Sequence, residues 1–444
     1  MFRRKIYDEL ADWKNRYNGK YACLVEGARR VRKSTIVEEF AKKNYKSYIK
    51  VDFSKAGEKI MDVFKDITEP DIFFARLQLE TKTTLYKRDS CLIFDEIQLY
   101  PKARQAIKHL VADGRYDYIE TGSLISIRKN VSKILIPSEE HKLSMYPMDF
   151  EEFCWATGEN YELFVELFKS GKPIGENTNR SLLRRFRIYM AIGGMPQAVQ
   201  AYVDKENFND IDSVKQEILD LYKDDLMKID SSGYTSAMLD SIPAQLALNK
   251  KRFVLSAATG KRTTAKDKER FYNLLNSKIV IPCYNVTNPI DPFSLTADYD
   301  CFKLYMADTG LFTTLVFNSQ IDDSEEIYNK LLSNKLSANL GFMYENAAAQ
   351  IISSSGRTLY YHTWAKENST HTYEIDFLIE KKNKAIPIEV KSSATSSHDS
   401  LDDFCRKYSK HVSDRYLFSQ KDTRDEASIK YRPIYLMPAM IQSL

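Results

Sequence analysis

The sequence predicts an α/β protein with more than one domain. In the N-terminal third, three short apolar runs read as buried strands that lead into polar residues: KYACLVEG, SCLIFDEIQ and YDYIETGS. Near the C terminus, YEIDFLIEKKNKAIPIEVKSS reads as two further strands joined by a turn. The chain has 444 residues. Since one domain usually takes about 100–200 residues, two or three domains are expected.

The composition excludes several classes of protein. The net charge of +4 is too small by itself to indicate nucleic-acid binding. The cysteines form no CxxC pair and the histidines have no ligand spacing, so neither a zinc ribbon nor a disulfide framework is indicated. No apolar run reaches the roughly 18 residues of a membrane span. The charged start, MFRRKIYDELADWK, lacks the apolar core of a signal peptide. We therefore expect a cytoplasmic protein with no membrane partner.

The first strand leads into EGARRVRKST, residues 26–35, which nearly spells a phosphate-binding loop. That pattern is Gly, four residues, then Gly-Lys-Ser/Thr. Gly27, Lys33 and Ser34 are in register, and Arg32 takes the place of the second glycine. The apolar spacing of the following KSTIVEEFAKKN is helical, so the context is strand, loop and helix. Such a loop attracts phosphate. We expect Lys33 to reach the β- and γ-phosphates and Ser34 to hold Mg²⁺.

Two later strands end in residues suited to the same site. Ligands of open α/β sheets bind beyond the carboxyl ends of the strands. We therefore expect Asp95 to support Mg²⁺ and Glu96 to orient and polarise the attacking water. Thr121 and Ser123 follow the third strand and could bond the γ-phosphate or the water. The predicted nucleotide-binding residues are Gly27, Ala28, Arg29, Arg30, Val31, Arg32, Lys33, Ser34, Thr35, Thr121 and Ser123.

Six segments carry a family resemblance: GARRVRKST, LIFDEIQ, IETGSLIS, MYPMDFEEF, GGMPQAV and KLYMADTGL. Together they resemble AAA-type ATPases (AAA_14-like) that carry a C-terminal DUF4143 domain. The resemblance implies a P-loop NTPase domain, then a helical and winged-helix region, then a restriction-endonuclease-like α/β domain. The implied divisions are an ATPase domain at 1–150, a helical connector at 151–234, a winged-helix-like region at 235–325 and a DUF4143-type domain at 326–444.

The same resemblance implies ATP and Mg²⁺ as cofactors. AAA-type proteins often place an arginine from a neighbouring subunit on the γ-phosphate, which would make a second copy of this chain a partner. Arg115 and Arg128 are the candidates, and the sequence does not choose between them.

Arg32 is the departure from the family pattern, whose members usually have glycine there. The position lies against phosphate and often needs a positive φ, which only glycine adopts freely. Another residue in such a conformation costs roughly 1–3 kcal/mol, and its side chain can occupy phosphate space. A guanidinium is, however, also a good phosphate partner. The alternatives are a dead site and a site that binds ATP but turns it over slowly; we favour the second.

The middle of the chain has two features that each leave two interpretations open. The sequence GGMP, 193–196, interrupts a helical stretch. It is interpreted either as a hinge that senses nucleotide or as a turn that packs two helices together, and we prefer the second interpretation. A basic segment follows, which indicates either contact with a DNA backbone or a solvated face. Its members are Lys250, Lys251, Arg252, Lys261, Arg262, Lys266, Lys268 and Arg270. The acidic stretch 318–330 is the clearest linker candidate.

A second set of chemically active residues lies near the C terminus. Glu389 and Lys391 are two apart on one strand, so they share a face, and a hairpin would bring Asp376 beside them. Two carboxylates and a lysine suit Mg²⁺-dependent phosphodiester hydrolysis, with Asp376 and Glu389 on the metal. With Glu345 on an upstream helix, the order resembles the PD-(D/E)xK nuclease motif. A polar sheet face without catalysis is the alternative.

These observations predict an ATP-binding AAA-type protein, slow or impaired as an ATPase, coupled to a nuclease-like domain that engages nucleic acid. One alternative is a non-catalytic, ATP-dependent switch that binds a protein partner. The other is a DNA-binding protein with a defunct ATPase site. Binding to DNA that weakens steeply with salt would separate them.

Overall fold

The computed structural model describes residues 1–17, 19–122, 137–248, 252–317, 324–333, 341–367, 369–392, 398–426 and 428–444. The chain divides into two compact units. The first unit comprises residues 1–146 and 276–278. The second unit comprises residues 147–275 and 279–444.

The first unit is built on a five-stranded sheet of order β2-β3-β4-β1-β5 in which every pair of neighbours is parallel. Its strands are β1 (Ala22–Gly27), β2 (Ser47–Asp52), β3 (Ser90–Asp95), β4 (Asp117–Gly122) and β5 (Glu140–Met145). The three strands predicted from the sequence are β1, β3 and β4, and all three are confirmed. Because β1, β3 and β4 are neighbours and parallel, their carboxyl ends meet at one edge.

Helices cover this sheet through apolar faces. They are α1 (Ile6–Tyr17), α2 (Lys33–Asn44), α3 (Glu58–Val63), α4 (Pro70–Thr81) and α5 (Pro101–Asp113). Helices α4 and α5 begin with proline, whose missing N–H is not needed in the first turn. Phe64 lies at the centre of an aromatic core, edge-on to Phe53, Phe73 and Phe94 at ring-centroid distances of 5.1, 5.2 and 5.6 Å.

Most of the helices that the structure describes lie in the second unit. They are α6 (Phe150–Ala156), α7 (Glu162–Ser170), α8 (Glu176–Ile192), α9 (Pro196–Val203), α10 (Phe208–Ile229), α11 (Tyr234–Asp240), α12 (Ile242–Ala247), α13 (Leu255–Thr259), α14 (Ala265–Asn276), α15 (Phe293–Thr296), α16 (Thr309–Phe317), α17 (Ser324–Leu332), α18 (Gly341–Ser354), α19 (Asp399–Lys407) and α20 (Met437–Gln442). Helix α6 begins with a capping box in which Asp149 and Glu152 satisfy each other's backbone N–H groups.

An eight-stranded mixed sheet forms the rest of the second unit, in the order β12-β13-β11-β10-β9-β8-β6-β7. Its strands are β6 (Val280–Val286), β7 (Ala297–Met306), β8 (Leu359–Ala365), β9 (Thr372–Lys381), β10 (Lys384–Val390), β11 (Tyr416–Ser419), β12 (Arg424–Glu426) and β13 (Ile429–Pro433). Strand β6 pairs with β8 in parallel. Strands before residue 325 therefore share one sheet with strands after it. The predicted domain divisions and the winged-helix assignment stay predictions.

The glycine-rich break in the middle of the chain is a site of close backbone contact. The N–H of Met148 donates to the carbonyl of Gly194 at 2.7 Å, and the N–H of Gly194 donates to Asp308 Oδ2 at 2.6 Å. A Cβ on Gly194 would lie 1.9 Å from the Met148 carbonyl oxygen. Three of the segments that carry the family resemblance thus meet here. This geometry favours the interpretation of the break as a packing turn.

No helix in the part of the chain that the structure describes is long and apolar enough to cross a membrane.

Candidate functional site

The phosphate-loop segment joins the end of β1 to the start of α2. Gly27 lies so close to β5 that a Cβ would be 2.2 Å from the Met145 carbonyl oxygen, so only glycine fits. Arg30 and Arg32 both adopt left-handed backbone conformations, with φ of 67° and 69°. The positive φ predicted for the Arg32 position is therefore present. Val31, between these two arginines, is buried and anchors the loop.

Lys33, the first residue of α2, is turned back onto the loop. Its Nζ donates to the carbonyls of Gly27 at 3.0 Å and Ala28 at 2.8 Å, and the residue is 8% exposed. Burial lowers the pKa of Lys33 to about 8, although the nearby carboxylates of Glu96 and Asp95 oppose this shift. The ammonium thus lies inside the loop that the sequence assigns to phosphate.

Asp95 contacts polar side chains from three other elements at the carboxyl edge of the sheet. Ser34 Oγ donates to Asp95 Oδ1 at 2.7 Å, and the Thr121 hydroxyl donates to the same oxygen. Lys50 on β2 places its Nζ 3.3 Å from Asp95 Oδ2. The sequence predicted that Ser34, Asp95 and Thr121 converge, and the structure confirms it. Lys50 was missed, and its only signal is its position near the end of the neighbouring strand.

The donor set at this edge fits Mg²⁺. Magnesium is held in nucleotide sites by a few hard oxygen ligands together with substrate phosphates. Ser34 Oγ and Asp95 Oδ1 are such oxygens, in direct contact at the N terminus of α2. These two residues would hold the ion, as the sequence predicts.

Glu96 follows Asp95 directly and is half-buried, with a backbone φ of 55°. Its carboxylate accepts a hydrogen bond from the side-chain amide of Gln98. A left-handed residue directly after the strand places Glu96 beside the loop, where its charge acts on Lys33. Its predicted action on water stays a prediction. Thr35, Arg29 and Arg30 are exposed.

Several predicted residues of this unit take no visible part in the site. Ser123 and Arg128 lie outside the described residues. Arg115 forms ion pairs with Asp113 at 2.7 Å and Asp71 at 2.8 Å. Its guanidinium is therefore occupied within its own chain.

The second unit brings together the residues predicted near the C terminus. Asp376 on β9 and Glu389 on β10 lie on adjacent antiparallel strands of a mixed sheet, next to the register pair Phe377 and Ile388. The N–H of Val390 donates to Asp376 Oδ2 at 2.8 Å. The predicted placement of the two acids on neighbouring strands is confirmed.

The remaining predicted residues complete this arrangement. Lys391 Nζ lies 2.6 Å from Glu389 Oε2, as expected of residues that share a face. Glu345 approaches from helix α18, as predicted, and accepts a hydrogen bond from the Tyr305 hydroxyl at 3.1 Å. A β-bulge in β9, between Ile375 and Leu378, locally shifts the pairing with β8 where Asp376 lies.

Sequence reasoning missed three residues that belong to or contact this arrangement. Lys303 Nζ lies 2.6 Å from Glu374 Oε1 and 3.4 Å from Glu345 Oε2. Tyr305 is two residues beyond Lys303 on β7, and Glu374 is two residues before Asp376 on β9. The alternation of each strand was the available signal, because residues two apart face the same side.

Burial dominates the electrostatics of the cluster. Burial, reinforced by the charges of Glu389 and Glu345, raises the pKa of Asp376 well above its ordinary value. Burial also raises the pKa of Glu389. Burial alone would lower the pKa of Lys391, but the carboxylates of Asp376 and Glu389 raise it. The acids therefore favour protonation and the lysine stays charged.

The cluster does not fit a preformed site for a divalent cation. Within the described ranges, no three side chains of His, Cys, Asp or Glu are arranged to hold a metal ion. Each carboxylate instead has a donor from the protein itself. The predicted metal and catalytic roles of Asp376, Glu389, Lys391 and Glu345 stay predictions.

The basic segment differs in part from its prediction. Arg270 is buried and forms ion pairs with Asp230 at 3.1 Å and Asp267 at 2.7 Å, so its inclusion in a DNA-facing cluster is wrong. Lys268 pairs with Asp300 at 2.7 Å. Lys250 and Lys251 lie outside the described residues. Lys268 is exposed as well, and the other exposed members are Arg252, Lys261, Arg262 and Lys266.

Three family models match the chain in succession. A model described as "AAA domain" matches residues 19–154. "Domain of unknown function (DUF8612)" matches 183–324, and "Domain of unknown function (DUF4143)" matches 340–437. A search of curated proteins gave no match.

Several solved structures match the chain at low sequence identity. The Walker-type ATPase of Pyrococcus abyssi is 16% identical, with 71% of this chain and 96% of that chain covered and a TM-score of 0.40. Cdc6p from Pyrobaculum aerophilum is 11% identical, with coverages of 75% and 94% and a TM-score of 0.24. A signal transduction ATPase (STAND) protein with a tetratricopeptide repeat sensor, from Pyrococcus horikoshii, is 13% identical, with coverages of 79% and 48% and a TM-score of 0.28.

The AAA-domain match and the parallel sheet with its strand–loop–helix agree with each other. The N-terminal unit is an AAA-type, P-loop ATPase-like domain, and the chain carries a DUF4143 domain at its C-terminal end.

Proposed function

We propose that this protein, whose N-terminal unit is AAA-type and P-loop ATPase-like, binds ATP with Mg²⁺ and hydrolyses it slowly. One observation carries the proposal: the contact between Ser34 Oγ and Asp95 Oδ1 at 2.7 Å. This contact joins the phosphate loop to the acidic end of β3. Two separate sequence motifs thus meet where a nucleotide-bound cation would be needed.

The residues around this contact have distinct tasks. Lys33 exchanges its bonds to the Gly27 and Ala28 carbonyls for bonds to the β- and γ-phosphates. Thr121 fixes the orientation of Asp95 by donating to its carboxylate. Glu96 orients the attacking water and takes its proton. Mg²⁺, when bound, neutralises charge on the phosphates.

Slow turnover follows from Arg32. This residue holds a left-handed conformation that costs roughly 1–3 kcal/mol for a residue other than glycine. Among the described residues, its guanidinium has no hydrogen-bond or ion-pair partner, so it is available to phosphate. A fixed cation that binds ADP phosphates as well as ATP strengthens ground-state binding without favouring the transition state.

Isothermal titration with ATP and Mg²⁺ tests nucleotide binding directly. Wild type is expected to bind, and Lys33→Ala to bind about tenfold more weakly or worse, since a charge-assisted contact to phosphate is lost. Lys42→Ala, an exposed lysine of the same helix, is the matched control and should bind as wild type. Equal affinity in all three proteins contradicts the proposal.

For the second unit we propose a nuclease-like fold that engages nucleic acid under the control of ATP. The support is the pairing of Asp376, Glu389 and Lys391 on adjacent strands and an exposed basic set elsewhere in the unit. That set is Arg252, Lys261, Arg262 and Lys266. A cytoplasmic location and assembly into homo-oligomers are further parts of this proposal.

Fluorescence polarisation with labelled DNA, at about 50 and 200 mM salt, tests this second part. A double variant, Arg262→Ala with Lys266→Ala, should weaken binding and flatten its salt dependence, whereas Lys407→Ala should not. If no DNA or RNA binds with or without ATP, the better account is a non-catalytic, ATP-dependent switch that binds a protein partner.

A further inference from the structure

We propose that Lys303 supplies the cation of the acid cluster in the second unit, so that the cluster is complete without a metal ion. The acid cluster is defined as Glu345, Glu374, Asp376 and Glu389 with the lysines Lys303 and Lys391. The proposal concerns the second unit alone and is independent of nucleotide binding.

Lys303 connects three elements of the fold. It extends from β7, and its Nζ lies 2.6 Å from Glu374 Oε1 on β9 and 3.4 Å from Glu345 Oε2 on α18. The residue is only 5% exposed. A buried ammonium is stable only when paired, and here two carboxylates from different elements pair with it. A divalent cation would draw the same two carboxylates together.

The other two acids also have donors from the protein. Glu389 Oε2 pairs with Lys391 at 2.6 Å, and Asp376 Oδ2 accepts the Val390 N–H at 2.8 Å. Glu389 Oε1 is buried and has no hydrogen-bond partner in the described part of the chain. With Lys303 present, no three carboxylates converge on a common point there.

Removing the Lys303 charge should leave the negative charges of the acid cluster with too little compensating positive charge. Glu374 and Glu345, which are half-buried, would lose their shared cation. These two acids and the buried Asp376 and Glu389 would then face the single charge of Lys391. Crowded carboxylates repel one another, and a divalent cation relieves that repulsion. Carboxylate oxygens suit Mn²⁺. Lys303→Met keeps most of the side-chain volume and removes the charge, so it should create a cation site.

The experiment measures Mn²⁺ binding to the nucleotide-free full chain by electron paramagnetic resonance of the free ion. Lys303→Met should bind one Mn²⁺ about tenfold more tightly than wild type, or better, because a repelling cation is gone. Adding Glu389→Gln to Lys303→Met should remove that site. The matched control is Lys268→Met, which deletes an exposed lysine paired with Asp300 and should behave as wild type.

Two results would overturn the proposal. The first is a wild-type protein that already binds one Mn²⁺ and loses it in Glu389→Gln. The second is a folded Lys303→Met or Lys303→Gln protein that binds no more Mn²⁺ than Lys268→Met does. If neither Lys303 variant folds, the wild-type titration decides: absence of a Glu389-dependent site supports the proposal, and its presence rejects it.

Discussion

Ser34 Oγ and Asp95 Oδ1 are 2.7 Å apart, in a hydrogen bond that links the start of α2 to the end of β3. Asp95 also accepts a hydrogen bond from Thr121 and forms an ion pair with Lys50. One carboxylate at the end of β3 therefore contacts β2, β4 and α2. All of these contacts are made between side chains of the protein, so the residues of the candidate nucleotide site can be tested one at a time.

Replacing Arg32 with glycine should raise the rate of ATP hydrolysis. Glycine adopts the φ of 69° freely and clears space beside the phosphates. Arg30→Gly is the matched control, since Arg30 has a φ of 67° in the same loop. Both variants should gain stability, by about 1 kcal/mol, but only Arg32→Gly should turn over faster in a phosphate-release assay. Lys33→Ala in the Arg32→Gly background should abolish that activity. Hydrolysis by wild type as fast as by Arg32→Gly would rule out the explanation.

Glu96→Gln should separate binding from turnover. The amide keeps the shape of the side chain and removes the charge that polarises water. ATP affinity should stay within a few fold, while steady-state hydrolysis falls about 10²-fold or more. Glu39→Gln, on the exposed face of α2 beside Lys43, should leave both unchanged. Unaltered turnover in Glu96→Gln would show that this residue has another task.

ATP binding should take up a proton at alkaline pH. In the free protein the pKa of Lys33 is lowered to about 8, so the amine is largely neutral above that pH. Bound phosphate favours the charged form, so affinity should fall as pH rises through about 8 to 9 and binding should take up close to one proton. Calorimetry in buffers of different ionisation enthalpy measures this uptake. Lys33→Arg stays charged and should show none; uptake equal to that of wild type would assign the proton elsewhere.

Supercoiled plasmid incubated with wild-type protein should stay intact with Mg²⁺, with or without ATP. The reason is that Lys303 already neutralises Glu345 and Glu374, and no three carboxylates of the acid cluster, all of them described residues, are arranged to hold a cation. Agarose gels report nicking directly. Cleavage that requires Mg²⁺ and disappears in Asp376→Ala or Lys391→Ala would establish a nuclease and reject the metal-free cluster.

Gly194→Ala should destabilise the second unit strongly. The new methyl carbon would lie 1.9 Å from the Met148 carbonyl oxygen, and backbone cannot move aside as a flexible side chain can. Overpacking of this kind costs about 1–3 kcal/mol or more in the free energy of unfolding. Gly341→Ala is the control, because its Cβ would meet only Ser392 Oγ at 3.6 Å. Urea denaturation that gives equal losses for the two variants would contradict the close contact.

Local sequence patterns were enough to predict several strands, the phosphate loop and the face on which some side chains lie. The apolar runs of β1, β3 and β4 can be recognised as strands from their own sequences, because a strand buried on both faces is apolar along its length. The phosphate loop is likewise local, since Gly27, Lys33 and Ser34 stand at fixed spacings between a strand and a helix. Two-residue periodicity is enough to place Glu389 and Lys391 on one face of their strand.

The tertiary structure decided which distant residues meet. Lys303 and Glu374 are 71 residues apart in the chain, and they touch because β6 and β7 join the sheet beyond β8, with β6 running parallel to it. No short-range pattern specifies that strand order. The ion pairs of Lys50 with Asp95 and of Arg270 with Asp230 likewise depend on the tertiary structure, which no short-range pattern specifies. Side-chain alternation fixes the face on which a residue lies, whereas the charges that share this face depend on how the whole sheet is assembled.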